Sequence, residues 1–500
     1  MIHLRGRLRI SCFFLAFLMT VSWSAVPLLA VDTSSQEEEV EHGEELEQEG
    51  NHVEHSSRLS DEYIPLQLEN FPERPRLLIE LGNPYLGTGR ISPGKKLPTG
   101  AVWQPTLIVF GTLRTAVQSF EAGDTRFTEW ANRLDLFANL QLSGSERLVI
   151  GFRNFDQEGR FSGYIFDPDP DDPAFQARYG DEDEFRDELN AEIQSLYFEG
   201  DFGEIFPHLD KQDFGRTDVG FSIGRQPLFF QEGMLINDSI DGVGVTRNTL
   251  QPNNTSNFRA TFFSGVGDVH RANREDDEAE LYALLTSTDL RRSTIDADIV
   301  YVAGGSGLDD LIALGVSAVQ RIGKVNTSFR ILGSMAVDEE SLAARDGVLL
   351  FSEVSWTPHH SDNLIYVNTF LALEDFTSAA RGPATGGPLG RAGITFAAAG
   401  LGNFGAPLSS IAREVVGGAI GYQKFIGPAA RRQVLSELGV RVGTSDAEAD
   451  SAAAMVRFQQ ALGRRFIVVT DGFASYQDLP GLTGDSDTFF GGRLELVLKF

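Results

Sequence analysis

Arg493-Leu494-Glu495-Leu496-Val497-Leu498-Lys499-Phe500 is the stretch on which the reading of the whole chain turns. Leu494, Leu496, Leu498 and Phe500 fall on one face of an extended strand, and Arg493, Glu495 and Lys499 fall on the other. Side chains alternate across a strand with period two, so this pattern writes one apolar and one polar face. The apolar face includes the final aromatic, and no polar residue follows it. A soluble sheet can carry the same alternation, with a protein core rather than hydrocarbon against its apolar side.

A final strand of this kind resembles the closing strand of bacterial outer-membrane barrels. The resemblance implies two partners: outer-membrane lipid around the strands, and the barrel assembly machinery, which reads the terminal aromatic, here Phe500. The other end of the chain agrees with an exported protein. Arg5, Arg7 and Arg9 precede an apolar run from Ile10 to about Ala30, and Val31-Asp32 opens a polar stretch. This is the layout of a secretory signal cleaved after Ala30, with an N-terminal membrane anchor as the alternative. Pro27 and the lack of a stop-transfer flank favour the signal. No later segment holds the roughly 20 unbroken apolar residues a membrane helix needs, so a membrane-resident chain must cross as a closed barrel.

Cys12, the single cysteine, falls inside the signal, which excludes disulfides, thiolate metal sites and a Cys nucleophile in the mature protein. The net charge of −29, from 71 acidic against 42 basic residues, excludes a nucleic-acid partner, because counterion release needs a basic surface. Nine glutamates and no Lys or Arg lie between Glu37 and Glu54. Such a block repels itself and cannot bury enough apolar surface to fold. Its His42, His52 and His55 are irregularly spaced, which favours a solvated linker over a zinc-capturing tail. Three regions follow: residues 1–30 as signal peptide, 31–73 as acidic linker, and 74–500 as barrel.

From Val102 onward the chain is a succession of alternating segments. Leu134, Leu136 and Leu140 alternate with Asp135, Asn139 and Gln141, and Phe329, Ile331 and Met335 alternate with Ser328 and Arg330. Leu438, Val440 and Val442 oppose Glu437 and Arg441. Eighteen segments are predicted, near 104–119, 130–143, 146–157, 190–202, 217–228, 240–249, 256–266, 279–289, 293–303, 310–322, 325–337, 347–357, 362–375, 414–426, 432–444, 451–463, 465–477 and 487–500. Faces are unassignable around Gly220–Gln226 and Phe466–Tyr476. The fold class is therefore all-β, a transmembrane antiparallel barrel of about 18 strands. A soluble β-sandwich or β-helix would show strands nearer five or six residues.

With both termini on one side, connections after odd strands should be the longer ones. Two stand out, 158–188 and 377–413. The first carries Asp167, Asp169 and Asp171, whose spacing resembles the start of a calcium loop but lacks its Gly and its closing Glu. A solvated acidic loop is the simpler reading, and no metal or cofactor is expected. Catalysis is not expected either: His208, His270, His359 and His360 lie in turns or loops with no nucleophile arranged beside them.

The most distinctive internal stretch runs Gly224-Arg225-Gln226-Pro227-Leu228-Phe229-Phe230-Gln231-Glu232-Gly233-Met234-Leu235-Ile236-Asn237-Asp238-Ser239-Ile240-Asp241-Gly242-Val243. It resembles the outer-membrane porin family that includes the alginate-export channels, where Gly-Arg-Gln and a later Asp-Gly flank a loop tucked toward the lumen. The resemblance implies that Arg225 and Asp241 are lumen-side charges near a constriction. If the apolar faces meet lipid, the opposite faces meet water. Inward candidates are then Arg114, Arg153, Arg259, Arg330, Arg441, Arg457 and Arg493, together with acids such as Glu437 and Glu495. The expected function is a passive channel for hydrophilic solutes, with carboxylated saccharides guided by arginines as in the alginate-export channels. The alternative is a plugged barrel serving as structural anchor or adhesin through its outer loops.

Overall fold

The structure is a computed structural model that describes residues 74–83, 92–122, 125–157, 159–166, 185–210, 215, 217–305, 308–337, 339–427, 430–478 and 486–500. The expected signal peptide, the acidic linker and the Asp167–Asp171 run lie outside the described residues.

Eighteen strands form one antiparallel barrel. In chain order they are β1 (Thr106–Ala122), β2 (Thr125–Gln141), β3 (Arg147–Arg153), β4 (Ile193–Asp201), β5 (Val219–Phe230) and β6 (Ile236–Leu250). They continue as β7 (Asn257–Val266), β8 (Glu280–Asp289), β9 (Ser293–Ala303), β10 (Leu311–Ile322), β11 (Val325–Ala336) and β12 (Gly347–Trp356). The last six are β13 (Leu364–Asp375), β14 (Arg413–Ile426), β15 (Arg432–Gly443), β16 (Asp450–Leu462), β17 (Phe466–Asp478) and β18 (Ser486–Lys499). Each predicted segment coincides with one strand. Every strand pairs with its neighbour in sequence, and β18 pairs with β1 from Gly491↔Phe120 to Lys499↔Thr112, which closes the sheet and removes its edges. Phe500 completes the seam: it exchanges both backbone hydrogen bonds with Gly111, at 2.9 and 3.1 Å.

The alternation decides which face looks out. Val243, Phe262, Leu284, Ile299, Val316 and Ile331 are all exposed on the outside, one strand after another. Arg330, next to Ile331, is buried inside, as are Glu437, Arg441, Asp471 and Arg493 on later strands. A soluble sheet would bury the apolar row, whereas a barrel in lipid presents it outward. The two stretches that resisted assignment now resolve. In β17, Asp471, Phe473 and Ser475 point inward, and β5 is irregular because Gly224 sits at φ +114°.

That glycine has a large consequence. A Cβ at Gly224 would run into the Leu196 carbonyl, so only glycine permits the turn made there. Beyond it the β4–β5 ladder stops at Arg225, and the β6–β7 ladder begins only at Gly242. Residues 226–240 leave the neighbouring wall strands and pair with each other, Gln226↔Ile240 through Phe230↔Ile236. The hairpin tip therefore leaves the wall and folds into the barrel. The segment expected to be a loop is a continuation of two strands, turned at Gln231–Gly233.

A second insertion follows β13. Residues 376–412 enter the lumen, and Ala380 and Arg381 add a short parallel strand to Ile236 and Asn237 of the hairpin. The expectation of a uniformly polar inner face is corrected here. Leu281 on β8, Val300 on β9, Leu311 on β10, Leu332 on β11, Leu349 on β12 and Phe370 on β13 also face inward and are buried. They form the apolar seat for Met234, Leu235, Ile236, Phe396 and Leu408 of the inserted segments. An inserted segment needs a dry face to dock on, so the wall beneath it is apolar on both sides.

Candidate functional site

Among the spaces the insertions leave open are two cavities. One, of about 600 Å³, is lined by Arg153, Arg225, Asp268, His270 and the loop residues Gly382–Thr385, and so reaches the end of the barrel that carries the long connections. The other, of about 930 Å³, is lined by Arg147, Glu199, Arg259, Asp296 and Asp298, and includes the β2–β3 turn at the opposite end. Leu228 and Phe229 of the inserted hairpin line both cavities. The hairpin is thus the partition between them, and Phe229 is 57% exposed there.

The hairpin register brings the two signature charges together: Arg225 pairs with Asp241, with a guanidinium–carboxylate distance of 3.6 Å. Sequence reading missed the stronger partner, Asp268, which comes from the β7–β8 connection and hydrogen-bonds the same Nη1. The three acids Asp268, Glu275 and Asp277 lie close together there, with Asp268 already engaged by Arg225.

The other predicted inward residues divide into two groups. Arg153 and Arg259 reach the cavities. Arg114, Arg330, Arg441, Arg457, Arg493, Glu437 and Glu495 point inward but line neither of these two cavities. Most face the inserted segments, and a polar inner face cannot by itself distinguish water from an inserted chain. Arg330, 3% exposed, is held by Glu353 and by Glu232 from the hairpin tip. Arg391 from the long insertion joins them at 3.3 Å from Glu232 and 3.2 Å from Glu353. Arg457 and Arg493 share Asp471, and Arg441 is taken up by Glu448 of the β15–β16 connection at 2.6 Å.

The long insertion is held mainly through its backbone. Glu437 accepts hydrogen bonds from Ile394 N at 3.0 Å, Thr395 N at 2.7 Å and Thr395 Oγ1 at 2.7 Å. Arg114 donates to the carbonyls of Ala399 and Gly400, and Gln118 donates to that of Leu401. Glu129 accepts from Asn403 Nδ2 at 2.8 Å. Arg381 ties the two insertions together by donating to Gly233 O of the hairpin and to the carbonyls of Thr385, Gly386 and Gly387. Unsatisfied backbone groups inside a barrel are costly, so these wall side chains hold the insert as a sheet partner would.

In the lining of the smaller cavity His270 Nδ1 lies 2.9 Å from Asp238 Oδ1, and its backbone N–H donates to the same carboxylate. Burial opposes the imidazolium, but the hydrogen bond and charge of Asp238, with help from Glu275, raise its pKa above the ordinary value. Partial burial, followed by the neighbouring Asp268, likewise pushes the Glu275 carboxyl up.

No family model matches the chain, and no curated protein matches it in sequence. Solved structures do match it. A BenF-like porin from Pseudomonas fluorescens Pf-5 superposes with a TM-score of 0.52 at 10% identity, over 79% of this chain and 98% of that one. OccK9 (OpdG) from Pseudomonas aeruginosa gives 0.52 at 11% identity, again over 79% and 98%. OccAB2 from Acinetobacter baumannii gives 0.50 at 11% identity over 79% and 98%. At these identities the likeness speaks for the fold alone: this chain is an 18-stranded antiparallel barrel, the fold that those porin structures share.

Proposed function

We propose that the protein resides in the outer membrane and acts as a non-catalytic channel for the passive passage of small hydrophilic solutes. The observation that carries this reading is the pair of cavities reaching opposite ends of the barrel and sharing Leu228 and Phe229 as their common wall. An inserted hairpin that narrows a wide barrel without filling it is what a selective pore requires. The exposed apolar belt supports the membrane setting, and the likeness to a BenF-like porin supports the transport role. Recognition by the assembly machinery through Phe500 belongs to the same reading. It would act before the seam closes, because in the finished barrel the Phe500 backbone is engaged by Gly111.

Carboxylated saccharides, the finer expectation for the solute, would need arginines free to receive them. Arg153 is already held between Asp135 and Asp156, at 3.2 and 3.3 Å, and Arg225 lies between Asp241 and Asp268. The plugged anchor is the second reading, and the long insertion packed across the inner wall favours it. Planar bilayers separate the two: purified protein should give discrete openings, and silent bilayers with folded, heat-modifiable protein would leave the anchor standing.

A further inference from the structure

We propose that the lumen selects organic cations, passing protonated amines between two acidic chambers across the ring of Phe229. This rests on the channel reading above and names its solute class. The smaller cavity is lined by three arginines and one histidine against five carboxylates, and the larger by two arginines against six carboxylates. No lysine lines either.

Pairing sharpens the imbalance. Arg133, Arg153, Arg225 and Arg147 each carry a carboxylate partner within 3.6 Å. Among the described residues Arg259 is the one lining arginine with no ion pair. On the acidic side Glu192, Asp296 and Asp298 carry no ion pair among the described residues. Asp296 accepts from Ser317 Oγ at 3.2 Å, and Asp298 from Gln231 Nε2 at 2.7 Å and Thr286 N at 3.2 Å. The donors to Asp296 and Asp298 are a hydroxyl, a side-chain amide and a backbone N–H, all of them neutral. A lumen with low-dielectric walls and one excess sign concentrates the opposite ion.

The second observation is independent of charge. Phe229 presents an exposed ring at the partition, and that ring rests against Gly233, where a Cβ would overlap it. The backbone of Gly233 thus backs one side of the ring and leaves the rest to the lumen. An aromatic face attracts cations through its quadrupole and gives the apolar body of an amine a surface to slide on. A carboxylate would gain nothing there.

The test uses the full chain in planar bilayers under a KCl gradient, followed by propylammonium chloride against sodium propionate. Cation should exceed anion permeability severalfold, and the ratio should fall as salt rises. Arg259→Gln should raise the ratio, Asp296→Asn should lower it, and Phe229→Ala should cut the preference for propylammonium over sodium severalfold. A conducting protein with no preference, or a preference for chloride and propionate, overturns the inference while the channel reading survives. Unchanged selectivity in all three variants overturns it equally. Silent bilayers with folded protein remove the channel reading itself, and the inference falls with it.

Discussion

Arg114 on the first strand donates from Nε to Glu495 Oε1 on the last, at 2.5 Å, across the seam where the barrel closes. The same guanidinium donates from Nη1 and Nη2 to the carbonyls of Gly400 and Ala399 on the long insertion. One side chain therefore couples closure of the wall to seating of the insert. Arg114→Ala should destabilise the barrel by about 1–3 kcal/mol, because carbonyls on the insert lose their donor while Glu495 keeps Arg493. Urea unfolding in lipid vesicles reads that loss, and bilayer recordings should show noisier, larger openings. A variant with wild-type stability and quiet openings would separate seam from insert.

Glu437 makes the insert's tightest anchorage. It is 2% exposed, and its two oxygens accept from two backbone N–H groups, a hydroxyl and the phenol of Tyr366. Gly393 lies so close that a Cβ there would overlap the carboxylate. Glu437→Gln replaces one acceptor oxygen by a donor facing donors, at a cost of about 2–3 kcal/mol. Gly393→Ala should loosen the same contact from the other side. Both variants should raise conductance and speed amide exchange across residues 393–405. Wild-type conductance in both would show that the insert does not limit the open area.

The wall was legible in the sequence because lipid enforces a period of two wherever it touches the strand. Arg330 and Ile331 announce their faces without any knowledge of the neighbours. The hairpin was half legible: Gly224 and Asp241-Gly242 marked its base, but the residues between them read as a loop, because an alternating strand inside a barrel has no lipid side. Less could be read where the chain packs on itself. Leu281-Tyr282-Ala283-Leu284-Leu285 and Leu349-Leu350-Phe351 carry apolar groups on both faces, which by pattern alone says only that both are dry. The insertion that dries the inner face is rich in Gly, Ala and Pro and is held through its backbone, so its own residues do not advertise it. Asp268 was invisible for a simpler reason: it sits 43 residues from the arginine it grips.

Ile331 and Arg330 also provide the sharpest test of the membrane setting. Ile331 is 59% exposed and Arg330 is 3% exposed, although they are adjacent on β11. Ile331→Arg places a cation against hydrocarbon at mid-strand and should cost about 2–4 kcal/mol in vesicles. On a water-exposed sheet the same change would stay within roughly 0.5 kcal/mol. Unfolding titrations of the variant in lipid decide between these outcomes, and the smaller value would mean that the outer face meets water.

The contact between His270 and Asp238 should make the wall of the smaller cavity sensitive to pH. The folded imidazole holds its proton more tightly than the unfolded one, since Asp238 outweighs the opposing effect of burial. The contact therefore contributes its full stability below the ordinary histidine pKa of about 6.5, and loses it as pH rises through the raised folded value. Asp238→Asn removes the charge, keeps an acceptor oxygen, and should bring the His270 titration back down. Histidine-labelled NMR in micelles measures both pKa values directly. Amide exchange over Val269–Asp276 should quicken on the alkaline side in the wild type and lose that dependence in the variant. A His270 titration at or below 6.5 in the wild type would show that burial, not Asp238, dominates at this contact.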